Sequence, residues 1–186
     1  MTMTKRQKKL LLSGCACLEQ KAQDSVKEVT GNFTQTISNN QRISAASVRH
    51  VDGDTTVLSI AGKEQKVRFL LIDTPETVKP NTKVQPFGME ASNRTKELLS
   101  TASEITFEYD KGDKTDRYGR ALGYIFVDGT LLQKTLVSEG LARMAYVKEP
   151  NTKYLPELEK AEVQAKSKQL GIWSIPVYVT ERGFQP

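Results

Sequence analysis

Between residues 41 and 175, short apolar stretches alternate with polar segments that contain glycine, proline, asparagine or aspartate. Apolar stretches of about four to eight residues, rich in β-branched and aromatic side chains and bounded by turn residues, are typical of strands. They predict five strands, at 42–51, 55–60, 66–72, 104–110 and 120–129. A shorter extended piece is predicted at 143–147.

Three other segments place apolar residues at helical spacing and predict helices at 89–102, 130–140 and 154–171. In the last of them, Leu155, Leu158 and Ala161 share one face, and Gly171 ends the helix. The element order is β-β-β-α-β-β-α-α. This order predicts an α+β, mainly β, fold: a five-stranded OB-fold barrel of antiparallel strands with three α-helices.

The first 18 residues carry a basic stretch followed by a short apolar one, which is the order of an export signal. Leu12-Ser13-Gly14-Cys15 resembles the site at which bacterial lipoprotein signals are cut and lipidated. Two alternatives remain open: an ordinary secretory signal cut after Cys17, and a basic N-terminus on a cytoplasmic protein. We expect export, with membrane anchoring through lipidated Cys15 favoured over simple secretion.

The pattern divides the chain into four parts: a signal at 1–18, a polar spacer at 19–40, a folded domain at 41–175 and a C-terminal tail at 176–186. Both cysteines, Cys15 and Cys17, lie in the signal. The domain therefore needs no disulfide.

Charge and composition restrict the possible catalytic chemistry but do not identify a binding partner. The net charge is +5, but residues 41–186 hold 21 Lys and Arg against 19 Asp and Glu. A nucleic-acid role therefore requires a local basic site. With a single histidine in the chain and no cysteine in the domain, a His-based acid/base pair and a zinc site are excluded. Catalysis would have to use carboxylates, Arg, Lys, Tyr or a hard metal ion bound by oxygen.

Three polar clusters lie at the ends of predicted strands, at 52–55, 73–77 and 116–120. Taken alone, Asp52-Gly53-Asp54 is ordinary turn chemistry. Arg68 precedes the second cluster within an apolar strand. Side chains alternate along a strand, so Arg68 and Asp73 have opposite parity and would face opposite ways in a straight strand. They can share a site only if the strand bends or ends before Asp73.

The segments VDGDT, VRFLLIDTPET, FEYDKGDKTDRYGRALGYIF, LVSEGLARMAYV and GIWS, taken together, resemble the staphylococcal nuclease (thermonuclease) family. The resemblance runs from about residue 44 to residue 174 with nearly constant spacing. It implies an OB-fold barrel that hydrolyses DNA and RNA with Ca²⁺ and leaves 3′-phosphate products. It also implies a monomer, with single-stranded or locally melted nucleic acid preferred.

The resemblance assigns roles to the polar clusters. Calcium ligands are implied at Asp54, Asp73 and the main-chain carbonyl of Thr74, an all-oxygen set that suits this ion. Catalytic roles are implied at Arg68, Glu76 and Arg120. The two arginines would bind the phosphoryl oxygens. Glu76 would act as the general base or would only position the water; both readings stay open.

Substrate contacts are implied at Tyr118, against a phosphate, and at Tyr146, against a base or sugar. Packing at the barrel rim is the alternative for both rings. Lys111 and Arg117 would add positive potential. The best-known family members carry a tyrosine at the position of Lys148, so stacking there is lost. A catalytically inactive OB-fold module that binds nucleic acid is the alternative function.

Overall fold

A computed structural model of the protein describes residues 37–77 and 83–185. The predicted signal at 1–18 and most of the spacer lie outside the described residues, as does 78–82. The strands are β1 (Arg42–His50), β2 (Thr55–Ile60), β3 (Lys63–Phe69), β4 (Ile72–Asp73), β5 (Ile105–Glu108), β6 (Ala121–Val127), β7 (Thr130–Leu131), β8 (Arg143–Met144), β9 (Val179–Thr180) and β10 (Gly183–Phe184). The helices are α1 (Gly88–Thr101), α2 (Leu132–Ser138) and α3 (Leu155–Ser167), followed by a 3-10 turn at Gly171–Ser174.

The five long strands form a closed barrel in the order β3-β2-β1-β5-β6, because β6 also pairs with β3. The predicted five-stranded OB-fold barrel with three α-helices is confirmed. The closing pair is parallel, however, with Val67 opposite Ala121 and Phe69 opposite Gly123. The expectation that all strands are antiparallel is wrong at this pair. Parallel neighbours need a long crossover connection, which α1 and β5 supply here.

Apolar side chains from all five barrel strands and all three helices fill one core. Leu58, Phe69, Phe107 and Ile125 are buried inside the barrel. Each such side chain contributes about 1.5–3 kcal/mol through its burial. From α3, Leu158 reaches the same core, which confirms the predicted apolar face of that helix.

A turn separates the two halves of the stretch predicted as one strand at 66–72. β3 ends at Phe69, and Leu71 takes a left-handed backbone conformation with φ of 67°. The chain then pairs with β8, with Asp73 opposite Arg143. This turn is the bend that the opposite parity of Arg68 and Asp73 required.

Both ends of the described chain contact the folded domain. Lys114 Nζ donates a hydrogen bond to the carbonyl of Ile37 at 2.8 Å, so the packed body starts a few residues before the predicted boundary at 41. Within the predicted C-terminal tail, β9 and β10 form a hairpin. Within the described residues, none of the helices has the length and apolar character needed to span a membrane.

Candidate active site

Asp54 is fixed by the turn between β1 and β2. Its Oδ1 accepts a hydrogen bond from Thr55 Oγ1 at 3.1 Å, and its Oδ2 accepts one from the main-chain N–H of Thr74 at 3.0 Å. Gly53 allows this approach, since a Cβ there would lie 2.5 Å from Thr74 Oγ1. Asp52 receives the N–H of Asp54 at 3.2 Å and so shapes the turn.

Arg68 contacts both carboxylates that were predicted to bind a metal, those of Asp54 and Asp73. Its side chain projects from β3 and is almost fully buried; Nη1 contacts Asp54 Oδ2, and Nη2 lies 3.2 Å from Asp73 Oδ1. Burial lowers the pKa of Arg68, but the charges of Asp54 and Asp73 outweigh it, and the net effect raises the pKa. One permanently charged guanidinium therefore holds both carboxylates at the same site.

The carboxylates are crowded. Burial and the neighbouring charge of Asp54 raise the pKa of Asp73, against the opposing effect of Arg68 and Arg143. Burial and Asp54 also raise the pKa of Asp52, to about 6. When ionised, these buried carboxylates therefore repel one another. An added cation would reduce that repulsion.

Glu76 is held through its main chain by the returning end of the 77–87 loop. The Glu76 N–H donates to Gln85 Oε1 at 2.7 Å, and the Gln85 N–H donates to the Glu76 carbonyl at 3.0 Å. The Glu76 carboxylate accepts the N–H of Thr77 at 3.1 Å. The position of Glu76 therefore depends on Gln85, although the middle of the loop lies outside the described residues.

Arg120 is oriented by Asp116, which also closes the turn before β6. One oxygen of Asp116 accepts the N–H groups of Tyr118 and Arg120 at 2.9 Å each, and the other accepts Arg120 Nε at 2.7 Å. These bonds outweigh burial and lower the pKa of Asp116. Arg120 therefore pairs with a firmly ionised partner while its side chain remains 26% exposed.

All three polar clusters open into one pocket of about 740 Å³. Of the residues assigned by resemblance, the pocket is lined by Asp54, Arg68, Asp73, Thr74, Glu76, Arg117, Tyr118, Arg120 and Tyr146. Lys111 is not among its lining residues. Tyr118 and Tyr146 are 68% and 70% exposed, so most of each side chain is open to solvent.

Cations lie against both tyrosine rings. The Arg68 guanidinium lies 5.4 Å from the ring centre of Tyr146, and those of Arg117 and Arg120 lie 4.8 and 5.5 Å from that of Tyr118. Each ring is thereby placed beside a guanidinium group and keeps exposed surface. Aromatic rings presented in this way can stack on nucleobases.

The family model described as "Staphylococcal nuclease homologue" matches residues 66–175, more than half of the chain. The chain belongs to the staphylococcal nuclease family. It is 56% identical over 136 residues to the SPbeta prophage-derived endonuclease YokF of Bacillus subtilis (strain 168), covering 73% of this chain and 46% of the relative. Endonuclease YncB of the same strain is 54% identical over 136 residues, covering 73% and 64%.

The thermonuclease of Staphylococcus hyicus is 46% identical over 127 residues, covering 68% of this chain and 73% of that protein. The matched region spans less than two thirds of the two Bacillus relatives.

Two carboxylates that could offer oxygen ligands to a metal, those of Asp54 and Asp73, line this pocket. The described residues contain no group of three or more His, Cys, Asp or Glu suited to a metal ion. A metal in this pocket would have the carboxylates of Asp54 and Asp73, a main-chain oxygen and water as its ligands. Such a set fits a hard cation such as Ca²⁺ and does not fit zinc.

Arg143 and Gln85, which support this site, were not predicted from the sequence, whereas Lys148 was singled out there. Arg143 donates to Asp73, Gln85 holds Glu76, and Lys148 forms an exposed ion pair with Asp113 at 3.0 Å. The contact between Arg143 and Asp73 joins residues 70 positions apart. No local pattern indicates it, because it depends on the pairing of two-residue strands.

Proposed function

We propose that the protein is a calcium-dependent nuclease that hydrolyses phosphodiester bonds in DNA and RNA and leaves 3′-phosphate products. One observation carries the proposal: Arg68, Glu76 and Arg120 line the same pocket as Asp54 and Asp73. Membership of the staphylococcal nuclease family supports it, as does similarity to proteins named endonuclease and thermonuclease.

Asp54, Asp73 and the carbonyl of Thr74 would hold the calcium ion. Calcium takes about six to eight oxygen ligands, so water and a phosphoryl oxygen of the substrate would complete the set. Bound there, the ion supplies positive charge to that phosphoryl oxygen. The raised pKa of Asp73 supports this assignment, because part of the rise comes from the charge of Asp54, which a cation would offset.

Arg68 and Arg120 would stabilise the charge that develops on the phosphoryl oxygens during attack. Each guanidinium carries five N–H donors, so it can bind a phosphate while keeping its carboxylate partner. The ion pair of Arg68 with Asp73 and that of Arg120 with Asp116 hold these donors in place before the substrate arrives. Preorganised donors of this kind contribute strongly to catalysis.

Glu76 would accept a proton from the attacking water or orient it. The new bond joins the water oxygen to phosphorus, and the bond from phosphorus to the 5′-oxygen breaks. The departing 5′-oxygen takes up a proton, and the phosphate remains on the 3′-oxygen. Tyr118 and Arg117 would contact phosphate and Tyr146 a base or sugar, while Lys111 would contribute charge from outside the pocket.

The test is hydrolysis of single-stranded DNA and of RNA by the wild type with Ca²⁺, by the wild type with a chelator, and by Glu76→Gln and Arg120→Lys with Ca²⁺. We expect cleavage by the wild type with Ca²⁺ and strong losses in the other three cases. Equal activity in all four would contradict the proposal. Binding of single-stranded DNA without any cleavage would instead support the inactive-module alternative.

We further propose that the protein is a monomer and is exported, with anchoring through lipidated Cys15. Export is supported by the basic-then-apolar order of residues 1–18, which lie outside the described residues. Fractionation of cells producing the wild type and Cys15→Ala tests the anchoring. We expect the wild type in the membrane fraction and Cys15→Ala outside it; both proteins in the cytoplasm would contradict export.

A further inference from the structure

The second carboxylate oxygen of Asp73 is bound by Arg143. Arg143 Nη2 and Nε donate to Asp73 Oδ2 at 3.0 and 3.2 Å. Arg68 binds the other oxygen, Oδ1, at 3.2 Å. The Asp73 carboxylate is therefore held from two sides. The pairing of β4 with β8 places Asp73 and Arg143 directly opposite each other.

Arg143 is in turn buried beneath the C-terminal hairpin of β9 and β10 and is only 8% exposed. Its Nη1 lies 3.5 Å from the carbonyl of Thr180, and its guanidinium lies 5.6 Å from the ring centre of Phe184. The ring of Phe184 packs against that of Tyr178 with centres 5.4 Å apart. The hairpin thus provides both a polar and an aromatic contact to the group that holds Asp73.

The segment that leads into the hairpin also reaches the loop that carries Glu76. The hydroxyl of Tyr178 is buried and donates to the carbonyl of Pro86 at 2.7 Å. Pro86 directly follows Gln85, whose side chain and main chain hold Glu76. One segment therefore contacts the supports of two pocket residues. It lies beyond residue 175, where the family match ends.

We propose that residues 178–185 act as a brace that positions Asp73 through Arg143 and Glu76 through Pro86 and Gln85. Arg143 and Tyr178 are positioning residues in this proposal, since neither lines the pocket. The inference rests on the proposed function, because it treats Asp73 as a calcium ligand.

The chemistry of arginine explains why this residue suits the task. Its fork donates two N–H groups in fixed geometry, which limits rotation of the carboxylate, whereas lysine offers a point charge on a flexible stem. A ligand that is already oriented binds a metal with less loss of conformational freedom. The charge of Arg143 also offsets repulsion between Asp73 and Asp54.

The variant of Arg143 must keep its positive charge. Removing that charge would alter the calcium affinity electrostatically, apart from any change in the position of Asp73. Arg143→Lys keeps the positive charge but loses the planar fork. Phe184→Leu keeps the apolar bulk but loses the aromatic ring. Tyr178→Phe loses only the bond to Pro86. Arg182→Ala is the matched control, since Arg182 is exposed in the turn of the same hairpin.

Calcium affinity is measured on the full chain without substrate, by titration calorimetry with Ca²⁺ alone, beside thermal unfolding and kcat and KM. We expect Arg143→Lys and Phe184→Leu to bind Ca²⁺ about 10-fold more weakly, the low end for groups that support metal ligands. Tyr178→Phe should keep its calcium affinity and lose kcat. Arg182→Ala should match the wild type in all three.

Two results would overturn the brace while leaving the proposed function intact. In one, folded Arg143→Lys and Phe184→Leu bind Ca²⁺ as the wild type does. In the other, a smaller fraction of folded protein fully accounts for the weaker Ca²⁺ binding of these two variants. A wild type that neither binds Ca²⁺ nor cleaves nucleic acid would instead overturn the proposed function together with the brace. A wild type that does both, with unaffected variants, would overturn the brace alone.

Discussion

Arg68 donates a hydrogen bond to Asp73 at 3.2 Å, five positions further along the chain and across the turn at Leu70–Leu71. In a straight strand these side chains would face opposite ways. The left-handed conformation of Leu71 reverses that relation, and the main-chain N–H of Ala145 fixes it by donating to the Leu71 carbonyl at 2.9 Å. The site therefore depends on an unfavourable backbone conformation at a buried residue.

This relationship predicts an unusual order of stability at Leu71. Leu71→Ala should lower the free energy of unfolding by about 2–5 kcal/mol, because it leaves a cavity. Glycine is usually less stable than alanine by about 0.5–1 kcal/mol, but it adopts positive φ without strain. We therefore expect Leu71→Gly to be at least as stable as Leu71→Ala in urea unfolding. A glycine variant less stable than the alanine variant by the usual margin would contradict strain at this turn.

The bend after β3 could be predicted from the sequence. Arg68 and Asp73 would face opposite ways in a straight strand, yet both were assigned to one site. The barrel was also predictable, since its strands are short apolar stretches bounded by turn residues. The parallel closing pair was not, because strand direction depends on the crossover through α1. Arg143 was not predictable either, because its contact with Asp73 depends on β8, a strand of two residues.

Arg68→Lys should lower kcat by about 10²–10³-fold, the usual cost of removing one preorganised donor to a developing oxyanion. Lysine keeps the charge but replaces the planar fork, whose two Nη atoms contact Asp54 and Asp73 separately, with a single nitrogen on a flexible stem. Steady-state kinetics on single-stranded DNA measure the loss. Arg94→Lys is the control, since Arg94 pairs with Glu97 and Glu139 away from the pocket. Equal losses in both variants would contradict a specific role for Arg68.

Gly53→Ala should disturb the proposed calcium site through Thr74. The added Cβ would lie 2.5 Å from Thr74 Oγ1 and 2.9 Å from Thr74 Cβ, so the segment that donates to Asp54 must shift. We expect a stability loss of about 1–3 kcal/mol, typical of overpacking, together with weaker Ca²⁺ binding in calorimetry. Gly129→Ala is a useful comparison, because a Cβ there meets nothing within 4 Å and tests only the cost of positive φ. Unchanged calcium affinity in folded Gly53→Ala would contradict the predicted shift.

His50 should make the fold less stable in mild acid. Burial and the charge of Lys96 lower the pKa of His50 below 6.5. Its Nε2 pairs with Ser92 Oγ at 2.8 Å, while its Nδ1 is buried without a hydrogen-bond partner among the described residues, so protonation there is unfavourable. Between its folded pKa and 6.5 the unfolded chain binds more protons than the folded chain, so stability falls as the pH falls through this window.

Nuclear magnetic resonance titration can follow this group without ambiguity, because the chain contains a single histidine. We expect a midpoint below 6.5 in the folded protein. Urea unfolding at several pH values should show the wild type losing stability faster than His50→Gln between neutral pH and that midpoint. The glutamine variant cannot gain a proton, so the difference between the two slopes isolates His50 from the carboxylates. A midpoint at or above 6.5, or identical slopes, would show that burial of this ring does not oppose its protonation.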